Sequence, residues 1–258
     1  DDKGRPLTTK KIVPDTLYFN AFTEDLFTWD NDLENDSDRV LKMNPDSNFL
    51  SGFKELALEE RIAKYLQRYA KFDFDIDYEN WTIAFSKLVK NPKHREGNSQ
   101  PETITEENIK VSRGEQNIFI WCIFMSICEL VLDGAEAYDW VKYLYIDDPI
   151  SSLDDNNAIA VATDLTKLLL KGKDELGDYR IKTLISSHHS LFYNVVCNEL
   201  KKESRKQYFL YRGKDDIFSI QTTEDTPFFH HVATLSELKT ASDTGEVFTH
   251  HFNALRGI

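Results

Sequence analysis

The chain of 258 residues lacks any run of about 18 uninterrupted apolar residues, the length that would cross a membrane. Its longest apolar stretches are broken by Glu129, by Asp133 and by the acids at 147 and 148, so no membrane segment and no membrane partner is expected. It is also poor in cysteine. Cys122, Cys128 and Cys197 are an odd number without C-x-x-C spacing, which argues against a disulfide framework and against a cysteine zinc site. Their apolar neighbours suit cysteine acting as a small core hydrophobe, and a reducing, cytoplasmic setting fits. A surplus of positive charge is missing too: 31 Lys and Arg face 44 Asp and Glu, a net charge of −13, which argues against a bulk electrostatic footprint for nucleic acid. Residues 201–258 hold eight basic and eight acidic side chains, so the excess of acid lies in the first 200 and any polyanion contact needs a local patch. Asp1 to Pro6 show neither an initiator Met nor a targeting pattern, so the sequence is expected to be a piece of a longer protein. No internal repeat or low-complexity tract is present.

What is present suffices for a core: 41% of the residues are hydrophobic, enough for one large or two small domains. Ile12 to Phe19 reads as a strand, followed by a polar, acid-rich loop from Asn20 to Asp38. Gly52 to Lys71 has helical spacing, with Phe53, Leu56, Leu58, Ile62, Tyr65, Leu66 and Tyr69 near one face. Trp81, Ile83 and Phe85 alternate with polar residues, and Ile104 lies beyond a polar stretch from Asn91 to Pro101, which predicts a hairpin. Ser112 is placed to cap a helix running through Ile118, Trp121, Cys122, Met125 and Leu132 to Gly134. Beyond it come a strand at Val141 to Ile146, a helix at Ala158 to Leu170, a strand at Ile181 to Ile185 and a helix at Leu191 to Leu200. This alternation predicts an α/β fold with a parallel sheet covered by helices.

The chemistry concentrates in three places. The segment Tyr143-Leu144-Tyr145-Ile146-Asp147-Asp148-Pro149-Ile150-Ser151-Ser152-Leu153-Asp154 is an apolar strand ending in two acids and a polar turn. Strands of open α/β sheets deliver their carboxyl ends to a ligand crevice. Phosphoryl transfer uses two carboxylates, one to hold Mg²⁺ and one to orient or deprotonate the attacking water, and Asp147 and Asp148 are assigned to these roles in that order. Upstream, Val111-Ser112-Arg113-Gly114-Glu115-Gln116 opens an apolar helix, whose N–H groups and dipole suit a terminal phosphate. Downstream, Leu184-Ile185-Ser186-Ser187-His188-His189-Ser190 places His188 just past a strand, within reach of a phosphate or the attacking water. Each has a bland alternative: a solvated acidic turn, an ordinary Ser-capped helix, a satisfied loop histidine.

In this order and spacing the three resemble the ATP-binding-cassette ATPases. The resemblance implies an ABC-type P-loop NTPase fold, with helices on both faces of the sheet and a small helical and hairpin insert at about 45–110. It makes Ser112, Gly114 and Glu115 part of the signature, Asp147 and Asp148 the end of Walker B, Ser151 to Asp154 the D-loop, with Asp154 near the nucleotide, and His188 the switch histidine. ATP or GTP with Mg²⁺ are the implied cofactors, and a homodimer closing around sandwiched nucleotides is the implied assembly. Two departures stand out. Most members have Glu where this sequence has Asp148, and no G-x-x-x-x-G-K-[ST] loop occurs, since Gly172-Lys173 and Gly213-Lys214 are each followed by Asp. In the family that loop lies N-terminal to the motifs seen here. These 258 residues alone are therefore expected neither to bind ATP tightly nor to hydrolyse it. No Gln stands at the nucleotide-sensing position after the first strand, where Asn20 and Glu24 are the candidates.

The strings from Tyr18 to Leu33, from Ile146 to Asn156 and from Leu191 to Asn194 are similar to the PrrC-type anticodon nucleases, in which a cassette ATPase controls a C-terminal ribonuclease. This implies an ATPase domain over 1–220, the start of a mainly helical ribonuclease domain over 221–258, tRNA as substrate and a restriction–modification complex as silencing partner. Leu255-Arg256-Gly257-Ile258 matches the start of the nuclease motif, making Arg256 a catalytic candidate, with a helix-surface residue as the plain alternative. Other readings are a DNA-repair or defence cassette ATPase of the Rad50 or RecF kind acting on DNA and a nucleotide-sensing interaction module without hydrolysis. Fewer than 100 residues separate Phe19 from the signature without sustained heptads, which excludes a long coiled-coil arm. The doublets His230-His231 and His250-His251 lack metal-ligand spacing.

Overall fold

A computed structural model describes residues 14–20, 26–31, 34–35, 39–50, 52–54, 56, 58–94, 101–149, 155–212, 217–223 and 229–256. The chain forms two compact units, Asp1–His189 and Ser190–Ile258. The first runs β1 (Thr16–Asn20), β2 (Phe27–Asp30), β3 (Val40–Met43), α1 (Glu59–Leu66), β4 (Asp73–Asp77), β5 (Thr82–Lys90), β6 (Thr103–Glu106), α2 (Arg113–Asp133), β7 (Tyr143–Asp147), α3 (Asp155–Lys171) and β8 (Lys182–Ser186). The second runs α4 (Ser190–Glu199), β9 (Tyr208–Arg212), β10 (Phe218–Thr222), α5 (Phe229–Thr244) and α6 (Thr249–Arg256).

Three short strands make the expected parallel sheet, in the order β1-β7-β8. Alternation sorts their side chains between faces. Leu17, Phe19, Leu144 and Ile146 are buried, and Phe19 meets Trp121 and Phe124 of α2 at ring distances of 5.2 and 4.6 Å. The opposite face leaves Tyr18, Tyr143 and Leu184 exposed.

Helix α2 is the core element. Trp121, Phe124 and Ile127 are fully buried, as expected, and buried residues occupy its whole circumference. At 21 residues it is long and apolar enough by composition to cross a membrane, although no uninterrupted apolar run marks it in the sequence; 72% of its apolar window is buried inside the protein. Such burial makes it the core helix of a globular unit. The hydroxyl of Ser126 donates to the Cys122 carbonyl at 2.8 Å, which satisfies a polar group in an apolar setting. The predicted ends hold: Ser112 caps the start, and Gly134 closes the end in the left-handed conformation, φ +79°.

The region between β1 and α2 holds more sheet than the sequence suggested. Strands β2-β3-β5-β4 form an antiparallel sheet, and β6 pairs with the far half of β5, from Lys87↔Glu106 to Lys90↔Thr103. The hairpin was expected; β2, β3 and β4 were not. β2 sits inside the segment read as a loop, ahead of the 45–110 range given to the insert, and β4 alternates apolar residues with three aspartates, poor strand formers. Cross-strand packing overrides that propensity: Phe74 faces Phe85 in the register, and both rings lie 5.0 Å from Phe119 of α2. The helix expected over Gly52 to Lys71 is shorter, Glu59–Leu66, with a turn at Gly52 (φ +73°) before it and a turn at Gln67 to Tyr69 after it.

Charged and phenolic groups tie α1 and its following turn to α2 and α3. Arg61 lies 3.3 Å from both Glu129 and Asp133, while the buried Asp164 accepts the Tyr69 hydroxyl at 2.5 Å and pairs with Arg68.

In the second unit, Phe192 and Val196 of α4 are buried, and Tyr193 shares a 3.0 Å hydroxyl bond with Thr223. β9 and β10 form an antiparallel hairpin centred on Leu210↔Ile220. Helices α5 and α6 make the C-terminal part mainly helical.

Candidate functional site

Parallel pairing in register aligns the ends of the three strands, so that Asn20, Asp147 and Ser186 stand side by side at their carboxyl ends. The acid of the central strand is held from both flanks. Ser186 Oγ donates to Asp147 Oδ1 at 2.5 Å, and the Tyr18 hydroxyl donates to Oδ2 at 3.2 Å. Asn20 Nδ2 in turn donates to the Tyr18 oxygen at 3.0 Å. Burial pushes the Tyr18 phenol pKa up, and the nearby Asp147 carboxylate acts in the same direction, against the Asn20 hydrogen bond.

Asp148 departs from the strand. Its φ of +48° lies in the left-handed region, where Asp and Asn are the commonest non-glycine residues. Its N–H still reaches the Ser186 carbonyl at 2.8 Å, one rung beyond the ladder. The carboxylate then meets the loop after β8: Ser187 Oγ donates to Oδ1 at 3.2 Å, and His188 Nδ1 lies 2.7 Å from Oδ2. Because a carboxylate accepts, the imidazole proton sits on Nδ1, leaving Nε2 on a ring that is 72% exposed. Ser187 also accepts the His189 N–H at 3.1 Å, which holds its hydroxyl in place.

The arrangement separates two adjacent carboxylates by their partners: hydroxyls from β1 and β8 for Asp147, a serine and a histidine for Asp148. Among the described residues no group of three or more His, Cys, Asp or Glu side chains forms a metal cage. Carboxylate and hydroxyl oxygens nevertheless suit Mg²⁺, which keeps much of its water and needs one or two carboxylates when phosphates supply the rest. The residues at the β7 end therefore fit that ion.

Ser112, Gly114 and Glu115 stand at the opening turn of α2. Ser112 Oγ accepts the Glu115 N–H at 3.3 Å, and Glu115 Oε2 accepts the Ser112 N–H at 2.8 Å, a reciprocal capping box. The Ser112 backbone and side-chain hydrogen bonds hold the Glu115 carboxyl below the usual carboxylate range. Gln116 accepts the Trp29 indole N–H at 2.6 Å, which ties this turn to β2. Asp154, with Ser151 to Leu153, lies outside the described residues, as does Glu24. The backbone of Arg256 ends α6, and its side chain is not among those described.

The structure thus brings Asp147, Asp148 and His188 together and adds Tyr18, Ser186 and Ser187, which sequence reasoning passed over. Their signal was available: Tyr18 is two residues from Asn20 on one strand face, and the serines directly precede His188. Hydroxyl residues are too common at strand ends to single out before the pairing is known.

No family model matches the chain. It is 34% identical, over an alignment of 272 residues, to an anticodon nuclease of Escherichia coli. That match covers 98% of this chain and 63% of the relative, so the sequence is related over nearly its whole length to an anticodon nuclease of which it spans less than two thirds.

Proposed function

We propose that this chain carries half of a cassette-type ATP or GTP hydrolysis site, which in the full-length protein gates a tRNA anticodon nuclease of antiphage defence. The observation that carries the reading is the convergence at the β7 end: Asp147 in the strand row, Asp148 turned away from it, and His188 2.7 Å from Asp148. The relative's name supports the nuclease half of the reading. In this cytoplasmic protein the phosphate-cradling loop lies outside the 258 residues, and two copies close around nucleotide with the α2 cap of one facing the acids of the other.

Asp147 would hold Mg²⁺ together with the nucleotide phosphates, and the ion would supply positive charge to offset theirs. Asp148 accepts a proton from the attacking water as its oxygen bonds to the γ-phosphorus, the bond to the bridging β–γ oxygen breaks and the nucleoside diphosphate leaves. His188, with its Nδ1–H on Asp148, orients that carboxylate and presents Nε2 to the phosphate side. Arg256 serves the separate nuclease centre, where a guanidinium meets two oxygens of the RNA phosphate. A restriction–modification complex as silencing partner follows from the family resemblance.

The test is steady-state phosphate release by the full-length protein together with cleavage of bulk tRNA. Wild type hydrolyses nucleotide and Asp148→Asn does not. Equal rates would refute the hydrolytic assignment, and nucleotide binding without any turnover in wild type would favour a sensing module.

A further inference from the structure

We infer that Tyr18 is the positioning residue for the metal-binding carboxylate, and that Asn20 acts on Asp147 through the Tyr18 hydroxyl rather than directly. The inference rests on the reading of Asp147 as the Mg²⁺ ligand and adds what sets its geometry. Two hydrogen bonds make a directed chain, and a third meets it at Asp147 from the other side. Asn20 Nδ2 has only hydrogens to give, so at 3.0 Å it occupies an acceptor lobe of the Tyr18 oxygen. The phenol proton is then left to point at Asp147 Oδ2, 3.2 Å away. Ser186 holds the other oxygen from the opposite strand, so the carboxylate plane is fixed from both sides before any ion arrives.

The fold explains why a tyrosine does this. Tyr18 stands opposite Tyr145 in the register, one rung before the Asn20–Asp147 row, and the two rings lie 5.0 Å apart. That contact directs the phenol along the sheet toward the strand ends, where a serine or threonine at position 18 would be too short to reach. The ring is 45% exposed, so the core does not depend on it. Hydrogen-bond partners behind a ligand fix its orientation and typically change metal affinity about 10- to 100-fold when removed. Asn20 is one of the two candidates for the nucleotide-sensing position after β1, and its short side chain acts by turning the phenol.

The experiment uses the full-length protein with Mn²⁺ as the probe and a non-hydrolysable ATP analogue. Bound Mn²⁺ is read by electron paramagnetic resonance, and thermal unfolding is recorded without metal. Tyr18→Phe keeps the ring against Tyr145 and removes only the hydroxyl. Mn²⁺ affinity is expected to fall about 10-fold, with the metal-free melting curve and metal-free analogue binding unchanged. Asn20→Ala should weaken Mn²⁺ less, and adding it to Tyr18→Phe should change nothing further. Wild-type Mn²⁺ affinity in Tyr18→Phe, or a lowered melting temperature as its only effect, would overturn the positioning role. Additive effects in the double variant would overturn the relay and make Asn20 a direct contact. Should wild type show no analogue-dependent Mn²⁺ binding, the metal assignment of Asp147 itself would fall, and the inference with it.

Discussion

His188 Nδ1 donates a hydrogen bond to Asp148 Oδ2 across 2.7 Å, which joins the loop after β8 to the residue that follows β7. A mostly exposed imidazole and a mostly buried carboxylate thereby form one unit, and Ser187 holds the carboxylate's second oxygen. Groups that act as a unit give non-additive losses when removed. In the full-length protein, Asp148→Asn and His188→Ala should each lower phosphate release by roughly 10² to 10⁴-fold, the span of a general base. The double variant should be little worse than either. On the proposed function, Asp148→Asn should still bind nucleotide, and a closed dimer should then accumulate on gel filtration. His189→Ala should have a much smaller effect on turnover.

Asp147→Asn should behave differently from Asp148→Asn. The amide keeps an oxygen for Ser186 but loses the charge that attracts a divalent ion. Nucleotide binding in the presence of Mg²⁺ should weaken, while binding in EDTA stays near wild type. Titration calorimetry with and without Mg²⁺ separates the two acids.

Glu115 supplies a pH dependence of stability. Its folded-state pKa is lowered by the Ser112 hydrogen bonds, so its contribution is fully present above the ordinary carboxylate pKa of about 4.3 and is lost as pH falls through the lowered value. Urea midpoints measured from neutral to acid pH should decline less steeply at the acid end for Glu115→Gln, whose amide oxygen can still accept the Ser112 N–H. Equal slopes in the two proteins would show that the cap carries no such linkage.

Tyr69→Phe tests the clamp on α3. The lost hydroxyl donates to Asp164, a carboxylate only 3% exposed, so a hydrogen bond to a buried charged group disappears. A loss of about 1.5 to 3 kcal/mol in chemical denaturation is expected. Arg68→Ala should cost less, since that guanidinium is half exposed and solvent screens the pair.

Arg256→Lys keeps the charge at the end of α6 but removes the planar fork. In the full-length protein, tRNA cleavage should be lost while nucleotide hydrolysis continues at the wild-type rate. Cleavage at the wild-type level would make Arg256 a helix-surface residue.

What the sequence determined by itself is local. The cap at Ser112, the glycine stop at Gly134 and the apolar runs of β7 and β8 depend on neighbours a few residues away, so those elements were legible with ends within a residue or two. The order of acid pair and histidine was legible for the same reason. Tertiary structure decided what depends on partners distant in the chain. β2 and β4 exist because β3 and β5 pair with them, against the weak propensity of their aspartates. Tyr18 reaches Asp147 across 129 positions, and Ser186 reaches it across 39, only because parallel pairing sets Asn20, Asp147 and Ser186 in one row. Asp148 turns toward His188 because its backbone enters the left-handed region, for which its short side chain is suited. A strand's pattern tells which residues share a face, but register depends on contacts with another strand, and it is register that places the phenol, the serine and the histidine around the two acids.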